Sequence, residues 1–365
     1  MTTATAAILR EASGPMSLET VELDEPKPGE ILVRVEASGI CHTDVKYQHV
    51  VPLPAVFGHE GTGIVEATGA DVSGVRVGDR VVMSYAFCGH CPYCDDGKPY
   101  LCENGQELTF AGKRADGSPT MRQRGEPLNA AFFQQSSFAS HAIVMAHAVV
   151  RVDADLPAAM LAAIPCGVQT GAGAIINTFR MRQGESVVVF GAGTVGLSAV
   201  MAARMIGAAT IICVDLRQNR LDLALDLGAT HVLNVASDDV PARAREILPR
   251  GARYAFDASG TVSALEQAMQ CIGQGGKIAI VSYPEGGKKF PFSTRDLFIR
   301  VASLEATIQG HSVPRRFLPM LLEWQRKGLF PYERLISTYH FSDINRALAD
   351  AESGRVIKPV LLMRR

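Results

Sequence analysis

A chain of 365 residues, 47% hydrophobic and 20% charged, is long enough for roughly two domains, each with its own buried core. Its 36 Lys plus Arg balance 37 Asp plus Glu, so there is no basic excess to hold a phosphate backbone or an acidic lipid surface, and neither nucleic acid nor membrane is expected as a partner. The start, MTTATAAILREASG, has no charged segment followed by a long apolar run, and no stretch reads as the roughly 20 apolar residues of a membrane span; the expectation is a cytoplasmic chain.

In chain order, short β-type runs come first. EILVRVEASGI (30–40) and GTGIVEATG (61–69) are broken by Gly and Pro in the manner of a compact β-rich lobe. Then comes FCGHCPYCDDGKPYLC, with the spacing Cys88-x2-Cys91-x2-Cys94-x7-Cys102. Four thiolates so spaced predict a closed tetrahedral zinc site that clamps a lobe and leaves no position for water or substrate. Thiols at metal spacing fit a reducing compartment, so all eight cysteines are expected to be reduced. Beyond about residue 168, the apolar runs SVVVFGAG, TIICVD, YAFDASG and GKIAIVS alternate with the helix-like TVGLSAVMAARMIGA, RLDLALDLGA and VSALEQAMQCI. That alternation predicts a parallel sheet with helices on both faces. From about residue 306, FLPMLLEWQRKG and DINRALADAESG read as helices and KPVLLMRR as a last strand. The Gly/Lys patch PEGGKKFP is the longest compositionally biased segment.

Gly191-x-Gly193-x-x-Gly196 follows an apolar strand and opens a helix. In that setting Gly191 permits the tight turn, Gly193 lets a pyrophosphate approach the backbone, and Gly196 lets the helix pack on the sheet. The anion then sits at the helix N-terminus. Asp215 ends the next strand, where a carboxylate accepts hydrogen bonds from ribose hydroxyls and repels a 2′-phosphate. NAD is therefore expected as the coenzyme, although Arg217 and Arg220 leave NADP open.

Cys41 in GICHTDVKY, His59 in VFGHEGTGIV and Cys166 in AAIPCGVQTGAG are each weak signals alone, since a lone cysteine is more often a small buried residue. As a Cys-His-Cys set flanked by Glu60, beside a four-cysteine loop and ahead of a dinucleotide turn, they point to a second metal.

With GICHTD, GHEGTGIVEATG followed by VGDRV, the four-cysteine loop, PCGVQTGAGA, GAGTVG with Asp215, and SGRVIKPVL, the chain resembles the zinc-dependent medium-chain alcohol dehydrogenases over nearly its whole length. FFQQSSFASHAIV and the CHTD form are most similar to the bacterial aryl (benzyl) alcohol dehydrogenases. The resemblance implies an α/β protein: a β-rich, GroES-like catalytic domain of residues 1–167 plus 306–365, with a Rossmann coenzyme domain, 168–305, inserted. It implies two zinc ions, NAD, and the interconversion of a primary aromatic or allylic alcohol with its aldehyde in a homodimer or homotetramer. An aliphatic or terpenoid alcohol dehydrogenase and a glutathione-dependent formaldehyde dehydrogenase are the alternatives, and a non-enzymatic NAD-binding relative is disfavoured by the ligands.

By the same resemblance, Cys41, His59 and Cys166 hold the catalytic zinc and leave one position for water or an alcohol oxygen. Glu60 approaches the ion during ligand exchange, and Asp44 accepts the other ring N–H of His59. Thr43 takes the alcohol proton and passes it to the nicotinamide ribose. Lys46 stands where well-known members carry the next histidine of that relay; His49 is a possible substitute. His42, Thr170, Arg220 and Lys358 join Gly191, Gly193, Gly196 and Asp215 as cofactor contacts. Tyr85, Phe87, Phe132, Phe133 and Phe138 are the candidates for an aromatic substrate wall. His90, His141, His147, His231, His311 and His340 read as structural or surface residues, and Cys213 and Cys271 as core.

Overall fold

The computed structural model describes residues 1–153, 155–284 and 293–363, so most of PEGGKKFP, from residue 285 on, lies outside the described residues. The chain forms two compact units. One comprises Met1–Cys166, Val313–Leu321 and Glu333–Arg365; the other comprises Gly167–Ser312 and Leu322–Tyr332.

The first unit is β-rich. Its longest strand, Glu30–Gly39, is buried at eight of its ten positions, Glu30 and Ser38 among them, as in a strand covered on both faces. It pairs antiparallel with Gly61–Thr68, with His141–Met145 and with the late strand Lys358–Leu362. The last pairing, Val360 opposite Gly39, brings the C-terminal strand back to the point where the chain leaves the sheet toward Cys41. A second sheet runs in the order Ala55–Val56, Thr2–Leu9, Ser17–Leu23, Met121–Gln123, Glu126–Leu128.

In the second unit six strands are all parallel, ordered His231–Asn234, Thr210–Asp215, Ser186–Phe190, Ala252–Asp257, Ile272–Ile280, Ser303–Ala306. In chain order that is 3-2-1-4-5-6, the doubly wound Rossmann arrangement, so the α/β fold with a Rossmann sheet is present. The two strands flanking the order reversal are Ser186–Phe190, which leads into Gly191, and Ala252–Asp257. Helices Thr194–Ile206, Gln218–Leu227 and Val262–Cys271 follow their strands as the apolar periodicity predicts.

One expectation fails here. Ala158–Thr178 is a single helical run of 21 residues, an 18-residue window of which has a mean hydropathy of 1.5 and so meets the length and composition of a membrane span. In this protein 83% of that 18-residue window is buried inside the fold, so protein rather than lipid covers its apolar side chains. Its glycines explain how it packs. A Cβ on Gly171 would overlap the Val195 carbonyl oxygen, and one on Gly173 would overlap that of Gly310. Both glycines let neighbouring backbone approach where any side chain would hold it off.

Candidate active site

Cys41 is the N-cap of the short helix His42–Lys46, immediately beyond the end of strand Glu30–Gly39. His59 and Glu60 precede strand Gly61–Thr68, which pairs with it. Cys166 lies in a wide π-helical turn, Ile164–Val168, set into the long helix; such turns rotate one side chain out of the regular helical register. These three segments bring one sulfur from each cysteine, a ring nitrogen of His59 and a carboxylate oxygen of Glu60 within 4.8 Å of one another. Cys41 Sγ is 3.9 Å from Cys166 Sγ, and His59 Nε2 is 3.3 Å from Cys166 Sγ. Hydrogen bonding to Cys166 draws the Cys41 thiol well below the usual range against the effect of burial, and hydrogen bonding to Cys41 together with burial raises that of Cys166.

Asp44, fully buried, ties the first two segments together. Its Oδ2 accepts the Cys41 backbone N–H at 2.9 Å, while Oδ1 accepts that of Gly58 at 3.1 Å and lies 2.9 Å from His59 Nδ1. Nδ1 is thereby assigned as the donor and Nε2 is left free to face the sulfurs. Gly58 has φ +91° and a Cβ there would meet the Phe138 nitrogen at 2.5 Å, so glycine is required at this turn.

Glu60 is buried. Its Oε2 is bound by Lys358, whose Nζ also donates to the Ile40 carbonyl at 3.2 Å, and its Oε1 has no hydrogen-bond partner. Burial raises the Glu60 carboxyl to about 7 despite the pull of Lys358. An unpartnered buried oxygen costs free energy unless something electropositive completes it. Two thiols and an imidazole nitrogen are donors zinc takes, and a Glu60 oxygen lies within 4.8 Å of them, so the residues fit a metal ion.

Lys358, expected to contact the coenzyme, is 1% exposed and held against Glu60 and Ile40. The SGRVIKPVL pattern shows a cation but not its burial.

Cys88, Cys91, Cys94 and Cys102 likewise place their sulfurs within 4.8 Å of one another. Cys91 caps the short helix Pro92–Asp95, and Gly89 and Gly97 take positive φ on either side. Burial opposes ionisation of Cys88, but backbone donors at His90 and Cys91 overcome it and bring the thiol down to about 6; burial pushes Cys94 up to about 12. All eight cysteines are free thiols. His147, which had no assigned partner, donates Nε2–H to the Phe87 carbonyl at 2.6 Å and so fastens the residue before Cys88.

In the second unit, Gly191 has φ +94°, nothing lies within 4 Å of a Cβ on Gly193, and a Cβ on Gly196 would overlap the Gly191 carbonyl oxygen. These are the turn, the open approach and the close packing that the motif requires. Asp215 Oδ2 accepts the Ala192 N–H at 2.6 Å and Oδ1 accepts that of Arg217 at 2.8 Å, so the strand-end carboxylate also braces the glycine turn. Arg220 has its Nε buried with no hydrogen-bond partner, and burial lowers its pKa against the pull of Asp215. Thr170 is buried in helix Gln169–Gly173, and His42 is exposed at the start of its helix.

The aromatic candidates divide. Phe132 and Phe138 are fully buried in the core of the β-rich unit, and Phe132 meets the His59 ring edge-on with centroids 5.7 Å apart. Phe133 stacks on the His59 ring, with centroids 4.4 Å apart. Behind it stand Phe110, 6.1 Å from Phe133, and Tyr47, stacked on Phe110 at 4.2 Å; the sequence reading missed both. Tyr85 and Phe87 lie 5.9 Å apart, and Phe87 packs on His147. FFQQSSF is also a scaffold. Phe133, Gln134 and Ser136 all have positive φ, Gln134 donates to the Leu108 and Lys113 carbonyls, Gln135 bridges Gly61 and Ser84, and Ser136 donates to Val56.

Residues 27–154 match the family described as alcohol dehydrogenase GroES-like domain, and residues 194–324 match zinc-binding dehydrogenase. Geraniol dehydrogenase of Castellaniella defragrans is 40% identical over 363 residues, 98% of this chain and 97% of its own. The chain belongs to the zinc-dependent medium-chain alcohol dehydrogenases. Among solved structures, an alcohol dehydrogenase zinc-binding domain protein from Burkholderia ambifaria superposes with TM-score 0.97 at 43% identity, and benzyl alcohol dehydrogenase from Acinetobacter calcoaceticus with 0.96 at 37%, each over the whole of both chains. The reaction class of this medium-chain dehydrogenase is thus oxidoreduction of a small-molecule alcohol or aldehyde.

Proposed function

We propose that this dehydrogenase interconverts a primary alcohol on an aromatic or allylic carbon with its aldehyde, using NAD and two zinc ions of unequal role. The observation that carries the reading is the aromatic cluster at His59: Phe133, 8% exposed, stacks on its ring beside the donor set, with Phe110 and Tyr47 behind it. A ring or conjugated double bond gains from such a surface through offset stacking and burial, whereas a short aliphatic chain gains less. Similarity to a geraniol dehydrogenase and to a benzyl alcohol dehydrogenase supports the same substrate class.

In this reading Cys41, His59 and Cys166 hold the reacting zinc, and Cys88, Cys91, Cys94 and Cys102 the structural one. Bound zinc would supply the Lewis acidity that makes an alcohol hydroxyl a better proton donor, and NAD would take the hydride. Asp44 fixes the ring of His59. Thr43, whose Oγ1 lies 3.6 Å from Cys41 Sγ, receives the alcohol proton. The Gly191–Gly196 turn seats the pyrophosphate and Asp215 selects NAD. Relative catalytic efficiencies for benzyl alcohol, cinnamyl alcohol, geraniol, ethanol, hexanol and sorbitol with NAD test the assignment. Aromatic and allylic alcohols rank first if it holds; ethanol or sorbitol ranking above them would overturn it.

A further inference from the structure

Gly39 occupies the last position of a buried strand, its φ is not in the left-handed range, and its N–H donates to the Glu60 carbonyl at 3.0 Å, so its backbone could belong to any residue. Space is what excludes other residues. A Cβ at this position would overlap Glu60 Oε2, lie 3.1 Å from Glu60 Cδ and 2.8 Å from the Ala162 carbonyl oxygen. Glycine inside a strand marks close approach of another group, and here that group is a carboxylate. The same oxygen is bound by Lys358, while Oε1 has no partner and a Glu60 oxygen is already within 4.8 Å of the sulfur and nitrogen donors.

We propose that Gly39 is a positioning residue that keeps Glu60 back from the metal: the missing side chain is the space in which the carboxylate rests against Lys358, and any side chain there drives it onto the donor set as a fourth ligand. Glu60 could not hold the resting position without it. Lys358 supplies attraction toward that position, but the room for it comes from the strand. The inference rests on the metal reading of Cys41, His59 and Cys166, and it goes beyond it by assigning control of the open position to a residue with no side chain.

The test uses the full-length protein as isolated, with Gly39→Ala made alone and with Glu60→Ala. Two readouts are taken besides turnover: thermal unfolding, and the phase of chelator-driven zinc release that Cys41→Ser abolishes. Gly39→Ala should lower Tm by about 5 °C and slow that phase about tenfold. In the Glu60→Ala background the slowing should vanish and the Tm loss should fall by at least half, the remainder being the contact with Ala162. If Gly39→Ala alone does not accumulate as folded protein, recovery of folded protein in the double variant supports the proposal and failure to recover overturns it. Equal effects of Gly39→Ala in both backgrounds also overturn it and leave the metal reading intact. A wild-type protein lacking the Cys41-dependent phase would instead overturn the metal reading and the proposal with it.

Discussion

Asp44 Oδ1 lies 2.9 Å from His59 Nδ1, and the same carboxylate accepts the backbone N–H of Cys41 and of Gly58. One buried acid therefore orients two members of the donor set through different chain segments. Asp44→Asn keeps the shape but presents an amide to Nδ1, and the free site should lose about 10- to 100-fold in zinc affinity. Competition against a chelator of known affinity measures this; an unchanged affinity would mean that the carboxylate only shapes the turn.

Asp215 braces Ala192 and Arg217 while standing where the ribose is expected. Asp215→Ser should narrow the preference for NAD over NADP and also raise KM for NAD, because the glycine turn loses its brace. Catalytic efficiencies with both coenzymes measure the change. Equal use of both by the wild type would assign the phosphate to Arg217 or Arg220.

The proton step separates two neighbours on one short helix. Thr43→Ala should reduce alcohol oxidation by about 100-fold, the scale of a lost acid-base group, while Lys46→Ala changes it by less than about threefold. A protonated lysine has no free lone pair with which to accept a proton. Comparable losses in the two variants would give the lysine a direct role.

Much of this was legible in the sequence because it is local or periodic. The parallel strands read as short apolar runs with helix periods between them, and GAGTVG names its own turn. The Asp44–His59 contact followed from motif resemblance, not from spacing. What could not be read depends on neighbours distant in sequence. Lys358 and Glu60 are separated by 298 positions, so the pattern showed a cation but not its burial. Phe132 and Phe133 are adjacent and chemically identical, yet Phe133, at positive φ, stacks on the His59 ring at 4.4 Å while Phe132 meets it edge-on at 5.7 Å. The helix Ala158–Thr178 was masked by Pro165 and its glycines, whose cost in helix propensity is outweighed by the close packing they allow.

His147 gives a pH prediction. Burial lowers its pKa from 6.5, and Arg315 and His90 push it further down, against the Phe87 carbonyl that accepts its N–H. The folded protein thus binds fewer protons here than the unfolded chain, so stability is fully present above about pH 6.5 and is lost as pH falls through the lower folded value. Denaturation midpoints measured from pH 7 to 5 should fall less for His147→Gln than for the wild type. A parallel fall in both proteins would remove the histidine from the account.

The central claim is that chemistry occurs at Cys41, His59 and Cys166, while the four-cysteine loop only holds structure. Zinc content and alcohol oxidation, measured together on the wild type, Cys41→Ser and Cys88→Ser, test it most directly. The account predicts two zinc ions per wild-type chain, a folded Cys41→Ser with one zinc and no activity, and a Cys88→Ser whose main defect is stability. Full wild-type activity with a single zinc per chain, or an active Cys41→Ser, would contradict it.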